Sequence, residues 1–220
     1  MARVLIIGGH GKVALLAAPK LVAAGHSLTA AFRNPDHEQD VAATGATPVI
    51  ADVETMDIDQ LTALVAGQDV VVWSAGAGGG NPARTYAVDR DAAIRTIDAT
   101  VRAAVPRFVM VSYFGASLTH GVPEDSTFFP YAEAKAAADA HLRATDLAWT
   151  ILLPSQLTLE PSTGTLDPAP TEAGPTSRDL VADVLSAVVS ADPESVARTE
   201  LGFTDGDVPI AQALAELRND

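Results

Sequence analysis

The chain of 220 residues carries Lys+Arg 14 against Asp+Glu 28, a formal net charge of -14, with 48% hydrophobic residues and no cysteine. That length and composition fit one soluble globular domain, 1–220, with a full core, and the charge makes nucleic acid and anionic membrane poor partners. Disulfides and thiolate metal sites are excluded, and His10, His26, His37, His120 and His141 are scattered without metal-ligand spacing.

Arg3-Val4-Leu5-Ile6-Ile7 reads as a buried strand, Gly8-Gly9-His10-Gly11 as a turn, and Lys12 to Ala24 as a helix ended by Gly25. Pro19 lies inside that helix and predicts a bend or an early break, at a cost of about 3 kcal/mol. Gly9-x-Gly11-x-x-Ala14 fits the dinucleotide fingerprint, and Gly8-x-x-Gly11-x-x-Ala14 fits a second version of it. A pyrophosphate would lie on the helix N-terminus, where free N–H groups and the helix dipole favour negative charge. The candidate contacts are Gly8, Gly9, His10, Gly11, Lys12 and Val13.

Ser27 to Phe32 is the second strand, and Arg33 follows where an NAD site expects Asp or Glu. A guanidinium forks onto a 2′-phosphate, and Lys12 adds a second positive charge, so NADP(H) is favoured over NAD(H). Arg33 as a solvated loop charge is the alternative, with Asp36 competing for a ribose hydroxyl. Thr47 to Ile50 is the third strand; Asp52 and Val53 beyond it belong beside the adenine, or Asp52 is a plain helix cap. Leu61, Leu64 and Val65 mark a helix closed by Gly67, and Asp69 to Trp73 is the fourth strand. Ser74-Ala75-Gly76 then lets the backbone approach the cofactor's sugar, and Gly78 to Pro82 prolongs the turn.

Ile94, Ile97, Val101 and Val105 predict an amphipathic helix over Asp89 to Ala104, stopped by Pro106, before a fifth strand from Arg107 to Ser112. Gly115-Ala116-Ser117-Leu118-Thr119 lacks the last glycine of a nucleophile elbow, which disfavours a hydrolase. Tyr131 and Lys135 stand four apart on an Ala-rich helix and share a face. The ammonium is expected to lower the phenol's pKa and make Tyr131 a usable acid and base. Trp149 to Leu153 is a sixth strand ending at Pro154-Ser155. Residues 156–176, rich in Pro, Thr, Ser and Gly, read as an aperiodic loop covering the substrate. A helix from Ser177 to about Ala191, a seventh strand from Glu200 to Phe203 and a helix from Pro209 to Leu217 close the chain.

Strands alternating with helices and no hairpin signal predict a doubly wound Rossmann fold: a parallel sheet of six to seven strands, helices on both faces, one domain. With a strand beginning at residue 3 and no long apolar run, the expected location is cytoplasmic. The expected partner is a small-molecule substrate, with the protein a monomer or homodimer.

Gly8-x-x-Gly11-x-x-Ala14, Ser74-Ala75-Gly76, Val111-Ser112 and Tyr131-x-x-x-Lys135, taken together, resemble the short-chain dehydrogenase/reductase family. The small atypical NAD(P)H-binding members, which include flavin- or biliverdin-reductase-like proteins and regulatory NADP sensors, are the nearer likeness. Asp52-Val53, Arg107 to Ser112 and Asp205 to Ile210 resemble that group as well. The resemblance implies that Tyr131 is the general acid/base, that Lys135 holds the nicotinamide ribose, and that Ser112 orients the reacting carbonyl, with Ser117 as a stand-in. Pro154 joins the cofactor contacts. The activity implied is NADPH-dependent reduction of a small carbonyl, quinone or flavin-type acceptor. A redox sensor without catalysis is the alternative, and a nucleotide-sugar epimerase or dehydratase has little room in so short a C-terminal portion.

Overall fold

The computed structural model describes residues 1–217, so the last three residues of the predicted domain lie outside the described residues. Its first half runs β1 (Arg3–Ile7), α1 (Lys12–Ala23), β2 (Ser27–Phe32), α2 (Glu38–Ala43), β3 (Thr47–Ile50), α3 (Ile58–Val65) and β4 (Val70–Trp73). Then come α4 (Pro82–Thr85), a π-helical segment (Tyr86–Ala92), α5 (Ala93–Arg102), β5 (Arg107–Val111), α6 (Phe129–Arg143) and β6 (Ala148–Pro154). Three short strands follow, β7 (Gln156–Thr158), β8 (Thr165–Asp167) and β9 (Pro175–Ser177). The chain closes with α7 (Arg178–Ser190), α8 (Pro193–Val196), β10 (Thr199–Asp205), β11 (Val208–Pro209) and α9 (Ile210–Glu216).

The main sheet has the order β11-β8-β10-β6-β5-β4-β1-β2-β3. From β3 to β10 every pair is parallel, as a Rossmann fold requires. Alternation along β1 divides the core. Val4 and Ile6 pack beneath α1 and α7, while Leu5 and Ile7 join Leu61 of α3, Ile97 of α5 and Leu142 of α6 on the opposite face. All seven are fully buried or within 1% of it, and each contributes about 1.5–3 kcal/mol by leaving water. Local caps agree with this layout. Asp57 and Gln60 form a reciprocal capping box at the start of α3, and the Ser177 hydroxyl accepts from the amides of Asp179 and Leu180 at the start of α7.

The sheet has nine strands, more than expected, because β8 and β11 add an antiparallel edge beside β10. Residues 156–176, read as an aperiodic loop, supply β8 as well as β7, which pairs with β9 in a separate two-stranded sheet. Strands of three residues are too short to show a period, and their partners are distant in sequence. Pro19 does not break α1, which continues to Ala23. Pro19 is exposed, so the carbonyl it leaves without an amide partner lies on the side where water can reach it.

The amphipathic segment begins earlier than Asp89 and changes pitch over Tyr86–Ala92. Ile97 is buried as expected, but Val101 is 49% exposed; the inward face of α5 is completed by Ala93, Thr96 and Thr100. The Thr96 and Thr100 hydroxyls donate to the carbonyls of Ala92 and Thr96, which lets polar side chains occupy buried positions.

Candidate functional site

The sheet order reverses between β1 and β4, and the loops leaving their C-terminal ends form the two walls of a cleft. Gly8 has φ +88°, and a Cβ there would lie 2.6 Å from the Ala75 backbone on the opposite wall. A Cβ on Gly9 would lie 2.7 Å from the Ala30 Cβ, so Gly9 serves helix-to-strand packing behind the cleft. The amides of Gly8 and Gly9 both donate to the Ala31 carbonyl, at 3.0 and 2.8 Å, which fixes the turn. Gly11 caps α1 in an extended conformation without a side-chain hydrogen bond. The first intrahelical bond runs from the Leu15 amide to the Gly11 carbonyl, and the amides of Lys12 and Val13 meet no acceptor among the described residues. Bare amides at the start of a 12-residue helix, with Lys12 beside them, suit an anion such as pyrophosphate.

Three compartments continue one another along the cleft. The first, about 220 Å³, is lined by Gly8, His10, Gly11, Arg33, Asp52, Val53 and the Ser74-Ala75-Gly76 wall. Arg33 is half exposed and its guanidinium stands 3.5 Å from the Glu54 carboxylate, which also accepts from Arg84 at 3.2 Å. Glu54 therefore competes with any phosphate for Arg33. The Asp52 carboxylate accepts from the Glu54 amide at 3.2 Å, so the residue both lines the crevice and caps its own turn. The His10 ring stacks on His37 at 3.5 Å between centroids, with Nε2 3.1 Å from the Asp40 carboxylate. Asp36 does not line the crevice; its amide donates to the Asn34 side chain in a local turn.

The second compartment, about 270 Å³, shares Gly11 and the Ser74-Ala75-Gly76 wall with the first and adds Lys12, Val13, Ser112, Tyr131 and Lys135. Lys135 is 1% exposed; its Nζ donates to the Val111 carbonyl at 2.9 Å and to Met110 Sδ at 3.2 Å. Burial pushes its pKa down, against the opposing pull of Asp139 and Asp89. Tyr131 departs from expectation: burial pushes the phenol well above its ordinary value, and Asp89, Asp139 and Tyr113 add to the rise. The ammonium is committed to β5, and burial together with the nearby carboxylates sets the direction at the phenol. The Ser112 hydroxyl donates to Asp139 Oδ2 at 2.5 Å, so its proton is turned toward the protein. Ser117 bonds to Thr119 and lines none of the compartments.

Two buried carboxylates complete this region, and sequence reasoning missed both. Asp139, at 0% exposure, follows Lys135 by four residues and Tyr131 by eight, so the helical stripe already contained the signal. Burial pushes its carboxyl up, while Lys135 and then Ser112 pull it down. Asp89, at 1% exposure, comes from the π-helical segment; burial raises its pKa too, against the Ala77 amide, Lys135 and Arg84. It stands eight residues before Ile97 on the apolar stripe, a position where a charge is itself a signal.

The third compartment, about 430 Å³, shares Ser112, Tyr131 and Leu157 with the second and adds Tyr113, Phe114, Phe128, Pro154, Gln156 and Ala173. Tyr113 and Phe128 meet edge to face at 5.2 Å, and the Tyr131 ring lies 5.5 and 5.3 Å from the two. Among the described residues no charged side chain lines it. Gln156, Leu157 and Ala173 come from the segment expected to cover the substrate.

A family model described as NAD(P)H-binding matches residues 8–192, from the first glycine of the turn to just past the end of α7. The chain belongs to this NAD(P)H-binding family. The chain is 34% identical over 222 residues to the uncharacterized sugar epimerase YhfK of Bacillus subtilis (strain 168), covering 98% of this chain and 100% of that one. A Bacillus halodurans structure described as an NAD-dependent epimerase/dehydratase is 30% identical, with a TM-score of 0.86, covering 100% of this chain and 99% of the other. A short-chain dehydrogenase/reductase from Veillonella parvula DSM 2008, solved in complex with NADP, shares the fold at 19% identity and a TM-score of 0.71, covering 95% and 99% of the two chains. The glycine turn, the bare helix start and the small-residue wall fit a dinucleotide bound along the cleft. Among the described residues no helix is long and apolar enough to cross a membrane, and no His/Cys/Asp/Glu group could hold a metal ion.

Proposed function

We propose that the protein is an NADPH-dependent reductase of a small, uncharged aromatic carbonyl or quinone. The observation that carries this reading is the third compartment: an aromatic pocket free of charged side chains, opening beside Tyr131. Flat apolar molecules gain from stacking on such walls, while an anion would be stripped of water and meet no cation. NADPH, when bound, supplies the hydride.

The residues of the chain supply the rest. The Tyr131 hydroxyl forms no hydrogen bond among the described residues, and its raised pKa keeps the phenol protonated through the neutral range. It donates a hydrogen bond to the acceptor's oxygen and passes its proton as negative charge develops there. Lys135 braces the wall through Val111 and Met110, and Ser112 offers lone pairs to the pocket while Asp139 holds its proton. Arg33 at the far end favours NADP(H) over NAD(H) to the extent that a 2′-phosphate displaces Glu54.

The names borne by relatives raise the epimerase reading. A nucleotide sugar would need cations for its diphosphate beyond those used by the cofactor. Arg178, at the boundary of the second compartment, already donates to the carbonyls of Leu157 and Thr158. Reduction is the better match to the pocket.

The test is NADPH oxidation with neutral quinones and aromatic aldehydes, set against epimerisation of nucleotide sugars. Tyr131→Phe should keep NADPH affinity by calorimetry and lose about 10²- to 10⁴-fold in turnover. Turnover undiminished in the variant, or epimerisation without net oxidation, would overturn the reading.

A further inference from the structure

Asp89 is held in place by one half of its carboxylate only. Oδ2 accepts from the Ala77 amide at 3.0 Å, while Oδ1, equally buried, has no hydrogen-bond partner. The cations whose charge reaches it are engaged elsewhere: Lys135 with Val111 and Met110, Arg84 with Ala77 and Glu54. A buried polar atom without a partner is expensive whether the carboxyl is ionised or protonated. Capping the Ala77 amide would need a single acceptor, so it explains Oδ2 and leaves Oδ1 without a reason.

Two further observations point Oδ1 toward the cleft. Asp89 lines the second compartment with Tyr131 and Lys135, and a Cβ on Gly76 would lie 3.1 Å from Oδ1. Any side chain at Gly76 would thus press on Oδ1. Asp89 is also carried by a π-helical segment, a deformation found frequently at functional sites.

We propose that Asp89 binds the nicotinamide-riboside half of the dinucleotide, Oδ1 sharing a hydrogen bond with a hydroxyl or amide of that half. The proposal rests on the cleft being the dinucleotide site. It assigns a role to a residue outside the glycine turn, Arg33 and the Tyr131–Lys135 pair.

The test is calorimetric titration of wild type, Asp89→Asn and Gly76→Ala with NADPH and, separately, with adenosine 2′,5′-bisphosphate, which represents only the adenosine half. In Asp89→Asn the amide oxygen can still cap Ala77, while an NH₂ group replaces Oδ1. In Gly76→Ala the carboxylate is kept but the added methyl crowds Oδ1. Both variants should bind NADPH about ten- to a hundred-fold more weakly, the range for a hydrogen bond to a charged group, and Asp89→Asn, whose side chain does not line the first compartment, should bind the bisphosphate as wild type does. NADPH affinity unchanged in Asp89→Asn, or both ligands weakened equally, would overturn the proposal. A wild type that binds neither ligand would overturn the dinucleotide reading of the cleft, and this assignment with it.

Discussion

Gly8→Ala tests whether the two walls of the cleft are as close as the geometry demands, and Gly115→Ala is its control. The two glycines have nearly the same backbone, φ +88° and +87°. A Cβ at Gly115 would meet nothing within 4 Å, whereas at Gly8 it would lie 2.6 Å from both the Cα and the amide nitrogen of Ala75. The left-handed backbone costs an L-residue about 1–2 kcal/mol, and the stiffer unfolded chain returns about 0.4–1 kcal/mol. Gly115→Ala should therefore destabilise by about 1 kcal/mol. Gly8→Ala incurs the same strain plus an overpacking cost of about 1–3 kcal/mol, because the atoms it meets are backbone and cannot rotate away. Urea unfolding of the three proteins, with slopes compared so that midpoints convert to stability, measures the difference. If the two variants agree within about 0.5 kcal/mol, the close approach of Gly8 to Ala75 is wrong.

Two further outcomes are expected. Glu54→Gln frees Arg33 from its carboxylate partner and should tighten NADPH without changing NADH, whereas Arg33→Ala should weaken NADPH about ten-fold; calorimetry with both cofactors checks this, and equal effects on the two would refute the assignment of Arg33. Asp69, bonded by the Arg3 side chain and amide, has its carboxyl lowered from 3.8 to about 2. A depressed folded-state value means that its stabilisation is present above pH 3.8 and is lost as pH falls through about 2. Carboxyl NMR titration should place the midpoint near the lower value, and Asp69→Asn should flatten that part of the acid unfolding curve.

Much of the fold was legible because its strands are buried on both sides. Continuous apolar runs such as Val4 to Ile7 and Phe108 to Val111 need no partner information to be recognised, and the glycine turn carries its own spacing. The edge formed by β8 and β11 was not legible. Leu166 pairs with Asp205 and Val208, and nothing local in Thr165–Asp167 announces residues about forty positions away. At the site, spacing along a helix was legible and electrostatics was not. Tyr131 and Lys135 share a face as their spacing requires, yet the phenol is pushed up by burial and then by Asp89 and Asp139, surroundings that only the folded chain creates. The partner of Arg33 was hidden for the same reason: Glu54 lies one strand away in the sheet and twenty-one residues away in sequence.

The π-helical segment makes chain length itself a determinant of the site. Successive residues of an α-helix turn by about 100°, and a π turn accommodates one residue more than an α turn. Removing a single residue from Tyr86–Ala92 would leave a helix that still spans the distance but is rotated along its axis, carrying Asp89 away from Gly76 and turning α5 against α3. No such constraint acts on the glycines at 78–80, where an added Cβ would meet nothing. Insertions and deletions are thus expected to be tolerated a few residues before α4 and to be refused immediately after it. The boundary between a loop that can change length and a helix that cannot falls within about ten residues of one surface.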